Sequence, residues 1–183
     1  MLQLTKDVPM ILEKRTKETK VEIRWSGDFD ADVYAFALDK DDKMINNNTS
    51  LCFFNQVNIF NSAIKHSGDV RNGDTNGDVN APDEYMTFSL NQIPTDIKKV
   101  MVICSIYNAP NNGKKFGQMN QMEATIINDG VKTAIIDMAD NYGDKFSMEV
   151  LEFKRDSSDN WSITPLQNAG CYILNNYYAQ YSK

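Results

Sequence analysis

The sequence predicts a mainly β protein: a two-sheet β-sandwich with a C-terminal helix and a long acidic metal-binding loop. Three observations carry this expectation. Apolar stretches, about nine of them, are short and separated by turn residues, as in an all-β domain. Several alternate apolar and polar residues with the period of two that marks a half-buried strand. The one segment with helical spacing is the tail, where Tyr172, Leu174, Tyr177, Tyr178 and Tyr181 recur.

In chain order, Val21, Ile23 and Trp25 alternate with charged residues, so residues 20–25 read as a half-buried strand. Residues 33–38 are apolar on both faces and read as a central strand, entered through Asp28, Asp30 and Asp32. If that entrance is extended, the three carboxylates project to one side. Residues 40–43 form a polar turn, and residues 51–55 a further strand. Residues 85–90 and 99–107 are strands joined through Pro94. Asn111-Asn112-Gly113 marks a loop. Met122–Asn128 and Val131–Asp137 flank Asp129-Gly130, a hairpin signal. Residues 147–153 and 161–164 face each other across the turn at 156–160, and residues 169–181 are expected to be helical. The tyrosines of that tail suit core packing, and a partly exposed tyrosine face would suit a partner protein. No internal repeat, linker or low-complexity tract divides the chain, so residues 1–183 are expected to form one domain.

Composition narrows the function classes. Apolar residues at 42% and charged residues at 24% are ordinary for a globular protein. The net charge of −6 argues against nucleic-acid binding, which rests on neutralising phosphates with Lys and Arg. Residues 1–25 hold six Lys/Arg against four Asp/Glu, so the remainder is more acidic still. No apolar run reaches the roughly 18 residues that suggest a membrane span. The N-terminal MLQLTKDVPMILEKR has no apolar core of a secretory signal, and a cytoplasmic location is expected. Cys52, Cys104 and Cys171 lack C-x-x-C spacing and sit among apolar or aromatic neighbours, as buried free thiols do.

The stretch that organises the chain is HSGDVRNGDTNGDVNAPDE, residues 66–84. It holds Asp69, Asp74, Asp78, Asp83 and Glu84, three glycines, three asparagines and one cation, Arg71. Gly and Asn let the backbone turn tightly, and carboxylates crowded on such a loop repel one another unless a cation sits among them. Ca²⁺ suits them because it takes six to eight hard oxygen ligands in a flexible geometry. A solvated surface turn is the plain alternative. Asp74, Asn76 and Asp78 imitate the start of an EF-hand loop, but its sixth and twelfth positions, Gly and Glu, are Val79 and Tyr85 here. With Asp28, Asp30 and Asp32 the two segments offer eight carboxylates. One Ca²⁺ would leave six negative charges and two would leave four, so two ions are expected. Asn55 and Asn108, at strand ends, are further candidate oxygen donors, whereas Gln118 suits a structural amide.

Several motifs in the same order resemble the TerD-domain family, the bacterial tellurium-resistance and calcium-binding stress proteins. DFDADVYAFAL, residues 28–38, is similar to that family's DFDLDASAFLL, and FFNQ, residues 53–56, to its FYNQ. The acidic loop is similar to its HTGDNxTGxGxGDDE, followed by Ile93-Pro94 for its Val-Pro. KFGQ, residues 115–118, matches its NFGQ. The resemblance covers nearly the whole chain. It implies a β-sandwich that binds two Ca²⁺ ions through the two acidic stretches, without enzyme activity. It also implies a cytoplasmic stress scaffold, with other stress-operon proteins as partners at a membrane-associated complex. The chain departs from the pattern at Val70 (Asn in the family) and Asn72 (Thr). Tyr107-Asn108-Ala109 replaces His-Asp-Ala, and the loop is longer by about four residues near Asn80-Ala-Pro, within the limits that motif matching allows. Either Asp78 or Asp83 can then be the counterpart of the first Asp in GDDE.

The competing reading is a metal-dependent hydrolase using the same loop. Acid–base catalysis wants two carboxylates in different environments across a cleft, whereas these lie together. Cys–His catalysis would have to use His66, the only histidine, whose place at the loop start suits a turn-organising hydrogen bond. Zinc is disfavoured because His and Cys do not cluster.

Overall fold

The computed structural model describes residues 1–71, 73, 81–119, 121–138 and 142–183. Among these, two sheets face each other. The first runs in spatial order β1 (Leu2–Gln3), β11 (Val131–Asp137), β10 (Met122–Asn128), β3 (Thr19–Trp25), β8 (Glu84–Phe88), β7 (Ile64–His66), β6 (Asn58–Ile59). The second runs β2 (Met10–Ile11), β13 (Trp161–Gly170), β12 (Ser147–Arg155), β9 (Lys99–Ile106), β4 (Ala31–Leu38), β5 (Leu51–Cys52). Among the described residues β1 and β11 pair in parallel and the other strand pairs are antiparallel. A one-turn helix, α1 (Ala109–Asn112), and the C-terminal helix α2 (Leu174–Tyr181) complete the architecture. Neither is long and apolar enough to cross a membrane.

The core follows from strand alternation. Val21, Ile23 and Trp25 of β3 point inward beside Met86 and Phe88 of β8, and meet Val33, Ala35 and Ala37 of β4 across the sandwich. Phe88 and Phe153 bridge the sheets with ring centroids 4.6 Å apart. The other face of β4 is buried too. Tyr34, Phe36 and Leu38 join Met101, Ile103, Tyr177 and Tyr181 in a second cluster under α2, and the Phe36 and Tyr181 rings lie 5.0 Å apart. The unbroken apolar run of β4, residues 33–38, therefore reflects the core on one face and a helix lying over the other.

Several boundaries differ from the sequence expectation. The strand expected at 51–55 stops at Cys52, because Phe53 and Gln56 exchange backbone hydrogen bonds and close a turn. The strand expected at 161–164 continues to Gly170 through Pro165. Proline is tolerated there because its open side faces the N-terminal segment, where its carbonyl accepts the Asp7 N–H at 2.8 Å. Residues 169–170 consequently belong to β13, and the helix begins at Leu174. The tail's tyrosines divide: Tyr177 and Tyr181 are core, whereas Tyr172 is exposed. Cys52 and Cys104 are buried as expected, but Cys171 is exposed beyond the end of β13. β1, β2, β6 and β7 are two or three residues long, too short for a period of two to show.

Removing one of the bridging rings should unfasten the sheets. Phe153→Ala is expected to cost about 3–5 kcal/mol, read as a lowered denaturation midpoint with an unchanged slope; a loss under about 1 kcal/mol would mean that the stack does not join the layers.

Candidate metal centre

The site is assembled at one end of the sandwich, where the β3–β4 connection meets the start of the acidic loop. Gly27 takes φ +94°, and the Phe29 N–H donates to the Gly27 carbonyl, turning the chain sharply. The Trp25 indole N–H donates to the Phe29 carbonyl at 2.8 Å and holds that turn down. Regular strand begins only at Ala31, so the expected alternation does not reach back to Asp28. Asp28 is exposed and paired with Lys114 at 3.4 Å. Asp30 and Asp32 do lie on one face, the outer face of the second sheet that Tyr34 also occupies.

Two buried side chains aim the acidic loop at them. Glu84 is fully buried, and its Oε2 accepts the Val33 N–H at 3.0 Å. His66 accepts the Gly68 N–H at Nδ1, which leaves the ring proton on Nε2, 3.1 Å from the Val33 carbonyl and 3.3 Å from Glu84 Oε2. The pair thus satisfies both backbone groups of Val33, beyond the reach of β5, which pairs only as far as Ala35. Glu84 Oε1 accepts the Val70 N–H at 3.1 Å, fixing the residue next to Asp69. Asp83 works in the same way, accepting the Trp25 N–H at 2.8 Å. Gly73 is pressed against Trp25: a Cβ there would lie 2.6 Å from the Trp25 carbonyl oxygen.

The result is a cluster. One oxygen each from Asp30, Asp32 and Asp69 lie within 4.8 Å of one another. Two carboxylate charges at about 5 Å repel by roughly 3 kcal/mol at an effective dielectric of about 20. Burial, then Glu84, Asp30 and Asp69, push the Asp32 carboxyl up to about 8. Burial, then Asp69 and Glu84, also raise Asp30, and burial raises Glu84. Asp30 Oδ1 is buried without a hydrogen-bond partner. An orphaned carboxylate oxygen beside two further carboxylates, with no Cys or His in the group, fits a hard cation and not zinc.

Of the residues expected at the site, the structure therefore brings Asp30, Asp32 and Asp69 together, with Glu84 directly behind them. Asp28 and Asp83 are held in the contacts given above. Asn108 has left-handed backbone (φ 52°) and its side-chain oxygen accepts from the Asn111 amide. Asp74 and Asp78 lie outside the described residues. Gln118 is a structural amide, its oxygen accepting the Lys115 N–H at 2.8 Å. Sequence reading missed Tyr34 and Ser105. The Tyr34 hydroxyl lies 2.5 Å from Ser105 Oγ and 3.4 Å from Asp32 Oδ2. The signal was available for Tyr34, two residues after Asp32 on the same strand face.

Fold and site together define a two-sheet β-sandwich with a carboxylate cluster where a strand entrance meets an acidic loop. The chain belongs to the TerD domain family, whose profile matches residues 1–181. It is 28% identical over 108 residues to the tellurium resistance protein TerD of Serratia marcescens, covering 59% of this chain and 54% of that protein. The chain thus spans about half the length of that relative. It is also 28% identical over 141 residues to general stress protein 16U of Bacillus subtilis (strain 168), covering 76% of this chain and 70% of that protein. Among solved structures, a homologue of telluride resistance protein from Streptomyces coelicolor A3(2) superposes with a TM-score of 0.74 at 17% identity, covering 89% of this chain and 95% of that one.

The buried carboxyl sets a pH dependence in chelator-treated protein. Asp32 titrates near 8 when folded and near the ordinary value of 3.8 when unfolded, so between these the folded state binds more protons. Its contribution is present below pH 4 and lost as pH rises towards 8. Asp32→Asn should raise stability at pH 8 relative to the parent and flatten this fall, as read from denaturation midpoints at several pH values. An unchanged slope would place the buried charge elsewhere.

Proposed function

We propose that this protein is a Ca²⁺-binding, non-enzymatic member of the TerD family that serves as a scaffold or adaptor in the response to tellurite and other chemical stress. The observation that carries the cation reading is the cluster of Asp30, Asp32 and Asp69 around the unpartnered Asp30 Oδ1. These three side chains would hold the ion, with backbone carbonyls and further carboxylates completing six to eight oxygens. A bound cation would neutralise the cluster and tie the entrance of β4 to the acidic loop. A second ion, as the eight carboxylates of the sequence suggest, remains part of the proposal. The stress role is supported by the names of the relatives; a cytoplasmic setting and stress-operon partners rest on the sequence resemblance alone.

The hydrolase alternative finds less support. Both ring nitrogens of the only histidine are engaged inside the fold. Burial pushes the Cys52 thiol up to about 12 and the Cys104 thiol well above its usual range, the opposite of an activated nucleophile.

Ca²⁺ added to chelator-treated protein should raise the melting temperature, because a ligand of the folded state alone stabilises by about 2.7 kcal/mol at a hundredfold excess over its dissociation constant. Mg²⁺, which demands near-octahedral geometry, should do less. Asp30→Asn and Asp69→Asn should each remove most of the Ca²⁺ shift, and Asp41→Asn, on the exposed turn with Lys40, should not. Equal losses at Asp41 and Asp30 would mean that general surface charge is responsible.

A further inference from the structure

A cavity of about 330 Å³ opens beside the cluster, between the outer face of β4 and β9 and the start of α2. Asp32 belongs to both, lining the cavity at one end while contributing to the cluster. Volume and mixed lining match those of small-molecule sites. We propose that this cavity binds a neutral, polyhydroxylated ring of monosaccharide size, together with the cation. The inference rests on the cation reading, because a ligand hydroxyl at the Asp32 end can serve as one of the ion's oxygens.

The lining chooses the ligand class. None of its residues is a lysine or arginine, so beyond the cation itself an anionic ligand finds no positive charge in the walls. An ammonium group would have to displace the cation or sit beside it. What the walls do offer is neutral hydrogen-bonding capacity: Ser105 and Tyr34, whose hydroxyls bond each other, Asn175, and Asn108 and Asn111, which share one hydrogen bond and keep further donor and acceptor positions. An amide both donates and accepts, as a sugar hydroxyl does, so the two match without regard to orientation. The remaining walls are flat or apolar. Phe54, Ile173 and Leu174 line the cavity, and Tyr107 stands at its rim 55% exposed. An aromatic face held partly in solvent suits the C–H face of a sugar ring, apolar on one side and polar at its edge.

Calorimetry on chelator-treated protein, first with Ca²⁺ alone and then with D-mannose, D-galactose and N-acetyl-D-glucosamine, tests this. At least one sugar is expected to bind the Ca²⁺-loaded protein with a dissociation constant of about 1 mM or tighter, and about tenfold more weakly in chelator. Tyr107→Ala and Asn175→Leu, both on the exposed rim, should each weaken sugar binding about tenfold while leaving the Ca²⁺ isotherm unchanged. A Ca²⁺ isotherm with no sugar binding overturns the inference and leaves the cation reading standing, as does binding of choline with none of the sugars. Absence of any Ca²⁺ isotherm overturns the cation reading and this inference with it.

Discussion

The site depends on how one strand residue is completed. Val33 lies where β5 has already ended, so its N–H and C=O have no neighbouring strand to pair with. Glu84 accepts the first, and His66 reaches the second through Nε2. A buried backbone group without a partner costs about as much as a lost hydrogen bond, so the pair stabilises the edge of the second sheet from within the first. A buried carboxylate is itself expensive, and it is tolerated here because each of its oxygens accepts a backbone N–H and His66 lies against it. The acidic loop begins at that same histidine. The hydrogen bonds that complete Val33 therefore also set the position of Asp69.

This arrangement joins opposite demands. Packing wants β4 apolar on both faces, and from Val33 to Leu38 it is, sandwiched between the core and α2. On the same outer face, two and four residues before Tyr34, stand Asp32 and Asp30. The change from apolar to acidic along one strand face places the buried Asp32 beside a cavity. Without a cation, burial and then mutual repulsion push the Asp32 carboxyl up to about 8 and raise that of Asp30. A divalent ion would convert a repulsive cluster into a bridge between strand and loop. The Asp41 turn, on the exposed surface, has no such arrangement.

Much of this was legible in the residues. The alternation of Val21, Ile23 and Trp25 identified β3, and Asp129-Gly130 identified the β10–β11 hairpin to the residue. Asp30, Asp32 and Asp69 stood out in the sequence as carboxylates crowded at a strand entrance and on a Gly-rich loop, and the structure brings one oxygen of each within 4.8 Å of the others. The sorting of the remaining carboxylates was not legible. Asp83 and Glu84 look the same in sequence as Asp69, yet they point at backbone N–H groups of Trp25 and Val33, which only the tertiary fold brings near. Asp28 left the row because Gly27 turns the chain before regular strand begins. The extension of β13 through Pro165 was hidden because proline's tolerance depends on what lies on its open side, a fact of topology.

The central claim is that Asp30, Asp32 and Asp69 form a cation site, and a crystal structure of the protein grown in excess Ca²⁺ tests it most directly. The account predicts an ion with oxygens of all three side chains at about 2.3–2.6 Å, Asp30 Oδ1 among them, and Glu84 still bonded to the Val33 N–H. A second ion drawing on the rest of the acidic loop would match the carboxylate count of the sequence. A cluster holding only water under those conditions, or Ca²⁺ bound solely at sites away from these three residues, would contradict it.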